Sequence, residues 1–468
     1  MLKKIFQFFL IASFVGIISS CEDSLTKVRR DALTPDLALK EVSGFESLLF
    51  SAYESVNDFT YYGQTVNVGP EILADNLKLI NRTGRYEGQE VNAIGEHIDL
   101  WRRYETINEC NFIINDIDAI EGDAARKAQI KGEAYFLRAL AYHDLLRTYA
   151  YEPGKEVNGW TEGVILRTTP TRSAPDADLR TRSTVQEGYT LVEADLLEAV
   201  TLLSANAPAA STFPYRANVA AARALLARVY LYAGRYADAA TQADQALAST
   251  TASLTTAAQY DASWAATPHP ESLFESEIVL ANWSTVDGVN NSMNSLTMNI
   301  FPSAQFIIGA SDDLIAAFET GDIRRNIWEA SGANFTCRKW RGEKGNFLEN
   351  VPVIRYSDVL LIAAEGKARS GNEAGARTDL SRLRTNRGLA EVDAGLSGQN
   401  LLDLILQERR VELCLEGHRF YDLKRLGLNI SKPAPNPPIQ YSDFRVLSRI
   451  PVEQVQLNPS LEQNPGYN

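Results

Sequence analysis

LLDLILQERRVELCLEGHRFYDLKRL, from Leu401 to Leu426, decides how this chain is read, because it puts charges where a helix packed on a core should have none. Wound as one helix at about 100° per residue, it gathers Val411, Leu404, Leu415, Leu401 and Ile405 on one arc. Leu402, Leu413 and Leu406 extend that arc, leaving Asp403, Gln407, Arg410, Cys414 and Gly417 for water. Glu408, Glu412, Glu416 and Arg409 then fall inside the apolar arc. A buried charge is costly unless it is paired and hydrogen-bonded. The natural partners are Arg409, Arg419, Asp422 and Arg425, so the run predicts a structural ion network of Glu408, Arg409, Glu412, Arg419, Asp422 and Arg425. The other reading is an active site, since a pair of carboxylates runs glycoside hydrolysis. Catalytic carboxylates must face an open cleft, however, and arginine neighbours lower a carboxyl's pKa, the wrong direction for a general acid. The structural reading is the stronger, and no catalytic residue is assigned.

Outward from this run, helical periodicity dominates. Leu37–Val56, Leu100–Ile120, Ala124–Tyr149, Thr184–Leu203, Asn218–Leu231 and Tyr236–Ala248 all carry apolar residues at three- or four-residue spacing, and strand-like alternation is scarce. Between Ala222 and Leu247, the residues Leu226, Ala227, Tyr230, Gly234, Tyr236, Ala239 and Ala246 match the spacing of a tetratricopeptide repeat. Small residues there let two helices approach closely, and the glycine makes the turn. A weaker copy runs through Ala363, Ala364, Gly371, Ala376, Leu380 and Leu383. The fold class expected is therefore mainly all-α, with tetratricopeptide-like helix pairs. Between the helical regions, Ser249–Pro270, Asn282–Ser303 and Gly332–Asn350 read as mostly loop, more than a compact domain carries without purpose. Ser431–Pro438 is a proline-rich crossing, and no helix is expected at the end of the chain.

The first twenty residues read as a secretory signal: Lys3 and Lys4, an apolar stretch from Ile5 to Ile18, then small residues. Ile18-Ser19-Ser20-Cys21 resembles the lipobox of bacterial lipoproteins, which implies lipidation of Cys21. Glu22-Asp23 resembles the acidic surface-export signal of Bacteroidota lipoproteins. Residues 21–36 read as a flexible tether. The composition is globular, with 45% hydrophobic and 22% charged residues, and a net charge of −13 argues against nucleic acid as a partner. Loss of residues 1–20 removes Lys3 and Lys4 and no acid, taking −13 to about −15. Cys110, Cys337 and Cys414 then remain, odd in number and without a C-x-x-C, so neither a zinc ribbon nor a disulfide framework is indicated. Cys110 and Cys414 lie in helical patterns and read as small core residues. The four histidines, His97, His143, His269 and His418, are widely spaced, so no local metal site is expected. Walker, Rossmann, G-x-S-x-G and H-E-x-x-H patterns are absent, and no cofactor is expected.

Several segments resemble, in order, the SusD/RagB family of outer-membrane nutrient-binding lipoproteins. They are Trp101-x-x-Tyr104-x-x-Ile107-Asn108-x-Cys110-Asn111, Gly132-Glu133-Ala134-Tyr135-Phe136-Leu137-Arg138-Ala139, Arg355-Tyr356-Ser357-Asp358-Val359-Leu360-Leu361 with Ala364-Glu365, and Leu383-Arg384 through Arg387-Gly388-Leu389. The run from Glu408 to Arg425 and the ending from Ile450-Pro451 to Gly466-Tyr467 complete the series. The resemblance implies about four tetratricopeptide-like helix pairs and a loop-rich ligand face. It implies a non-enzymatic lid on a SusC-like TonB-dependent transporter, capturing oligosaccharides or, in some members, peptides, and held to the outer membrane by its lipid. The matching division of the chain is 1–20 signal, 21–36 tether, 37–250 N-terminal helical region, 251–350 loop-rich ligand face and 351–468 C-terminal region. A reading from another class is a lipid-anchored tetratricopeptide scaffold that only docks proteins.

Sugar rings offer apolar C–H faces and a rim of hydroxyls, which suit aromatic rings ringed by Asn, Asp and Arg. Two loop zones supply these types. Thr60–Asn92 holds Tyr61, Tyr62, Asp75, Asn76, Asn81, Arg82, Tyr86 and Asn92. Asn282–Phe306 holds Asn282, Trp283, Asn290, Asn291 and Phe301, with Trp328 and Trp340 as further candidates. Tyr135, Phe136, Tyr230 and Tyr236 sit at helical spacing and read as core.

Overall fold

A computed structural model describes residues 39–95, 97–173, 178–279, 285–299, 304–432 and 435–467. The expected signal 1–20, the lipidation site Cys21 and the tether 21–36 lie outside the described residues. The long helices start and stop where local chemistry dictates. Helix α1 (Val42–Asn57) buries Phe45, Leu49, Ala52, Tyr53 and Val56 on one stripe. It is followed by a short helix α2 (Thr65–Ile72) and by α3 (Arg103–Asp116). The N-terminus of α4 (Ala124–Tyr149) is capped by the Asp123 carboxylate, and that of α5 (Val185–Ala205) by a reciprocal Thr184–Glu187 capping box. Asn218 caps α6 (Val219–Tyr232), which turns through Gly234 into α7 (Tyr236–Ala248). Asn372 caps α9 (Glu373–Thr385), the partner of α8 (Tyr356–Arg369).

Among the described residues these helices pack as four pairs, α1 with α3, α4 with α5, α6 with α7 and α8 with α9. Each pair stacks on the next, with α3 against α4, α5 against α6 and α7 against α8, so one continuous core runs through the stack. Close approach is essential between α7 and α8, where a Cβ added at Gly366 would stand 2.6 Å from the Tyr236 carbonyl oxygen. No helix among the described residues is long and apolar enough to cross a membrane.

Within the region expected to be mostly loop, Ser249–Pro270 and Gly332–Asn350 are largely irregular, whereas the described part of Asn282–Ser303 holds two short helices, Thr285–Asn291 and Met293–Thr297. Short strands cross this region and its neighbours: β1 (Leu77–Leu79) pairs with β3 (Ile308–Ala310), β2 (Ser272–Ser276) with β6 (Val351–Arg355), and β4 (Trp328–Ser331) with β5 (Asn334–Cys337), all antiparallel. A second apolar cluster lies beneath them, built on Tyr260, Trp264, Leu296, Ile307, Trp328 and Trp340 and sealed by Ile72, Leu77 and Leu415. Its strands are three to five residues long, too short for alternation to register, and two of the three pairings join distant segments. Near the end of the chain Val452–Leu457 forms a short helix, and the described residues after it, 458–467, carry none.

The opening run is not one helix. Helix α10 (Gly398–Glu412) ends, the chain turns, and α11 (Arg419–Arg425) begins. Leu415 and Gly417 take left-handed backbone conformations at φ 62° and 77°, and a Cβ at Gly417 would fall 1.8 Å from the Val66 carbonyl oxygen. The Lys339 ammonium holds the break by donating to the carbonyl oxygens of Glu412 (2.9 Å) and Cys414 (2.8 Å) and to the Glu416 carboxylate (2.6 Å). A cation placed on the last carbonyls of a helix satisfies both their lone pairs and the helix dipole. Gly417, expected to face water, is therefore buried; Cys414, put toward water by the helical wheel but read as a small core residue among the cysteines, is buried too, whereas Leu402, Leu404 and Leu406 are only half-buried.

Candidate functional site

Two groupings of polar side chains stand out, one sealed and one open. The sealed one surrounds α10. Glu408 is bonded by Arg324 Nη2 (2.6 Å) and by Arg384. Glu412 receives Arg387 through Nε and Nη2 (both 2.9 Å), Arg355 (3.2 Å) and Arg324 (3.3 Å). Glu416 accepts from Lys339 and from Arg355 (2.7 and 2.8 Å), while Glu271 bridges Arg355 (2.9 Å) and Arg387 (2.8 Å) from the other side. Beside this, Arg409 joins Asp358 and Asp422 (both 2.7 Å), Arg425 joins Asp422 (2.8 Å) and Glu365 (2.7 Å), and Arg419 joins Asp75 (2.7 Å).

Arg409 and Arg425 pair with Asp422 as the run suggests, but the partners of the glutamates are not those expected from the run alone. Arg409, Arg419 and Arg425 do not serve the glutamates; these draw on Arg324, Lys339, Arg355, Arg384 and Arg387 instead. Arg409 lies about 100° around the helix from Glu408, and so meets Asp358 of α8 rather than its neighbour in sequence. Burial would raise the Glu412 carboxyl, but the Arg387 and Arg355 guanidiniums override it and hold the group well below the usual carboxylate range. Burial likewise opposes ionisation of Glu271, and the same two arginines bring it down to about 2. Burial and Arg409 keep His418 neutral; its Nδ1 sits 3.2 Å from Arg409 Nη2. Glu408 and Glu412, 2% and 0% exposed, face no cleft and cannot meet a glycosidic oxygen.

The open grouping is a polar collar in which the two loop zones meet. The Tyr86 hydroxyl donates to Gln64 Oε1 (2.6 Å), and Gln64 Nε2 donates to the carbonyl oxygens of Asn291 (2.7 Å) and Asn290 (3.3 Å). Gln305 Nε2 donates to Asn290 Oδ1 (2.6 Å), its Oε1 accepts from Arg85 (2.9 Å), and Asn81 Nδ2 bonds the Gln305 carbonyl oxygen (2.9 Å). The Arg85 guanidinium also lies 5.6 Å from the Tyr86 ring centroid. Tyr86 itself has a left-handed backbone (φ 61°), and burial pushes its hydroxyl up to about 12, so it stays a donor. Arg82 reaches out with its head on Glu90 (2.7 Å), and Asn290 is exposed. Amides, guanidiniums and a phenol ring in fixed mutual positions form a surface suited to a polyhydroxylated ligand.

Other candidates stand elsewhere. Tyr61 (1% exposed) donates to Asp144, Tyr62 packs against it, and both are core. Asp75 and Asn76 belong to the ion-paired interior, on Arg419 and on Arg410 and Glu71. Asn92 is fully buried, and Trp328 and Trp340 are pillars of the second apolar cluster. An aromatic or amide in a loop zone is as well suited to packing as to binding, and only the packed partners tell them apart. Asn282, Trp283 and Phe301 lie outside the described residues. Gln64, Arg85 and Gln305 fall within the two zones, but nothing local in the sequence marks an amide that bridges two loops. Among the described residues, no group of three or more His, Cys, Asp or Glu side chains is placed to hold a metal ion.

Comparison with known proteins agrees with this architecture. A family model described as "SusD family" matches residues 318–467, and one described as "Starch-binding associating with outer membrane" matches residues 39–231. SusD-like protein P38 of Formosa agariphila is 25% identical, with 99% of each chain aligned, and SusD-like protein P25 of the same organism is 22% identical, with 96% of each aligned. A solved structure described as a putative sugar binding protein from Bacteroides vulgatus ATCC 8482 superposes with a TM-score of 0.80 at 26% identity, over 92% of this chain and 99% of that one. A SusD superfamily protein from Bacteroides thetaiotaomicron VPI-5482 gives the same TM-score and identity over 91% of this chain and all (100%) of the other. With both halves matched in order and the whole scaffold shared, the chain belongs to the SusD/RagB family.

Proposed function

We propose that the protein is a non-catalytic saccharide-binding lipoprotein of the outer membrane. It captures oligosaccharides at the cell surface through the collar of Asn81, Arg82, Arg85, Tyr86, Asn290 and Gln305 and hands them to a SusC-like TonB-dependent transporter. The observation that carries this reading is the meeting of residues 64–86 with residues 290–305 in one polar surface, with Asn81, Arg82 and Asn290 exposed and Arg85, Tyr86 and Gln305 half-buried over the buried Gln64. Membership of a family with a starch-binding, outer-membrane description supports it, as does likeness to a solved sugar binding protein. Trp283 and Phe301 belong to the same zone of sequence and are proposed as stacking faces. Cys21 is the lipid attachment, residues 21–36 the tether, and residues 251–350 the ligand face. The sealed ion pairs around α10 speak against catalysis by Glu408 and Glu412.

The test is a glycan array followed by calorimetry on the mature chain in a zwitterionic detergent. At least one oligosaccharide class should bind, and Tyr86→Ala and Gln305→Ala should each weaken it by about tenfold, the loss of one well-placed polar or aromatic contact. Binding of peptides with no glycan binding would replace the saccharide by a peptide ligand. Absence of any small-ligand binding would leave only the protein-docking scaffold.

A further inference from the structure

Between the collar and the scaffold runs the loop 342–350, and one carboxyl on it reaches toward both. Glu349 Oε1 accepts the Asn294 amide at 2.9 Å, at the start of the short helix Met293–Thr297. The next residue, Ser295, ties the collar together from beneath. Its carbonyl oxygen accepts the amides of Gln305 and Phe306 (both 2.9 Å), and its hydroxyl donates to the Val289 carbonyl oxygen (2.6 Å). Gln305 in turn holds Asn290 and Arg85. The loop also seats the collar sterically, since a Cβ added at Gly288 would stand 2.8 Å from the Phe347 Cβ. On its other side Asn350 fastens the loop to β2 and the residues after it, donating to Glu275 (2.8 Å) and accepting the Ile278 amide (3.1 Å).

Glu349 also lines a small cavity of about 20 Å³ that it shares with Trp264, His269 and Trp340. One water needs about 10–15 Å³ by the same measure, and two to four polar partners. The partners are present. Glu349 Oε2, Trp264 Nε1, Trp340 Nε1 and His269 Nε2 have no hydrogen-bond partner among the described residues, and all four side chains are more than nine-tenths buried. His269 Nδ1 accepts the Glu271 amide at 3.1 Å, which leaves the ring proton on Nε2. The set is therefore three N–H donors and one carboxyl oxygen, and buried polar atoms of this kind are costly unless paired. Charge of both signs lines the cavity, the Glu275, Glu343 and Glu349 carboxyls against the Lys339 ammonium. A cation would face three donors and an anion three carboxyls, so a neutral molecule suits it best.

From this juxtaposition we infer a buried water site that makes Glu349 the positioning residue of the collar. One water accepts from two of the three N–H groups and donates to Glu349 Oε2. The wall it binds is fixed: the Trp264 ring packs edge-on against Trp340 at 5.8 Å, with Lys339 Nζ 4.7 Å and the Arg355 guanidinium 5.0 Å from its centroid. Held there by its second oxygen, the carboxyl presents the first to Asn294 in one place. Ser295, and through it Gln305 and Asn290, are thereby tied to the ion-paired scaffold around α10. The consequence for ligand affinity rests on the saccharide-binding reading above; the water site stands without it.

Two measurements on the mature chain test it. A high-resolution crystal structure should show one water about 2.7–3.2 Å from Glu349 Oε2 and from two of the three N–H nitrogens. A cavity without water density, or a water that does not reach Glu349, would overturn the bridge. Calorimetry then runs a double-mutant cycle on Glu349→Ala and Gln305→Ala, with the tightest-binding oligosaccharide of the array as the probe. Each single variant should weaken binding by about tenfold, and the pair by little more than either alone, because both act through one surface. Glu349→Gln keeps the oxygen that accepts the Asn294 amide and should recover most of the loss. A loss of about a hundredfold in the pair, or affinity indifferent to Glu349→Ala, would overturn the positioning role. Should Glu349→Ala not fold, Ser295→Ala, which removes the bond to Val289, enters the cycle in its place with the same expected outcome. Absence of all glycan binding would overturn the saccharide reading and the positioning role with it, while the crystal structure decides the water by itself.

Discussion

Replacing Glu412 by alanine tests the sealed network at its most connected point. The carboxylate is 0% exposed and receives four guanidinium contacts, two from Arg387 at 2.9 Å, one from Arg355 at 3.2 Å and one from Arg324 at 3.3 Å. Arg355 and Arg387 keep Glu271 in common, and Arg324 keeps Asp322 and Glu408, so each arginine is left only partly compensated. Breaking a buried pair from one side costs about 3–5 kcal/mol. At roughly 2.1 cal/mol/K of unfolding entropy per residue, a chain of 468 residues has an unfolding entropy of about 1 kcal/mol/K. The melting temperature should therefore fall by about 3–5 °C. The same experiment run against pH separates lost charge from lost volume. A carboxyl whose native pKa is depressed contributes stability above its unfolded value of 4.5 and loses it as pH falls through the native value. Glu412 lies well below that value, and Glu271 and Glu365 at about 2. The parent should thus lose stability between about pH 4.5 and 2, and the gap to Glu412→Ala should narrow over that window. The double variant Glu412→Met, Arg387→Met should recover much of the loss. A melting temperature unchanged at pH 7, or a deficit constant down to pH 2, would refute the ion-pair account of α10.

Other expectations follow from single positions. Gly417→Ala should destabilise by more than the roughly 1–2 kcal/mol of a left-handed backbone, because its Cβ would meet the Val66 carbonyl oxygen at 1.8 Å; a urea midpoint equal to the parent's would contradict this. Burial raises the Glu349 carboxyl from 4.5 to about 7, so the native state gives up stability as pH rises through 7. Glu349→Gln should accordingly gain on the parent between about pH 4.5 and 7 and level off above it, by at most about 1.4 kcal/mol per pH unit, and a flat difference in denaturant midpoints would dispose of it. Glu187→Ala, which opens the Thr184 capping box at 2.8 Å, should shift the urea midpoint to a lower concentration by leaving the Thr184 amide without its carboxylate; an unchanged midpoint would count against the cap. Glu408→Gln should leave glycan affinity untouched while lowering the melting temperature, since its buried carboxylate pairs with Arg324 and Arg384; lost affinity at unchanged stability would return it to the binding site.

What the sequence determined by itself was local. Apolar spacing over Ala124–Tyr149 and Tyr236–Ala248 set those helices to the residue, and Thr184 and Asn218 marked two starts, because a helix's period and its caps are properties of neighbouring residues. The charges in Leu401–Leu426 likewise announced a buried network before any partner was known. Only the tertiary structure decided who the partners were. The guanidiniums on Glu408 and Glu412 come from residues 324, 355, 384 and 387, and the break at Leu415 and Gly417 exists because Lys339 and Val66 stand against it. The same holds for recognition. Tyr61, Tyr62, Asp75 and Asn92 carry the same side-chain chemistry as Tyr86, Asn81 and Asn290, yet the first set is sealed and the second lies at the collar. Spacing along a chain encodes which face a residue shares with its near neighbours. Burial and pairing depend on segments dozens to hundreds of residues away, and those are brought together only when the apolar faces close.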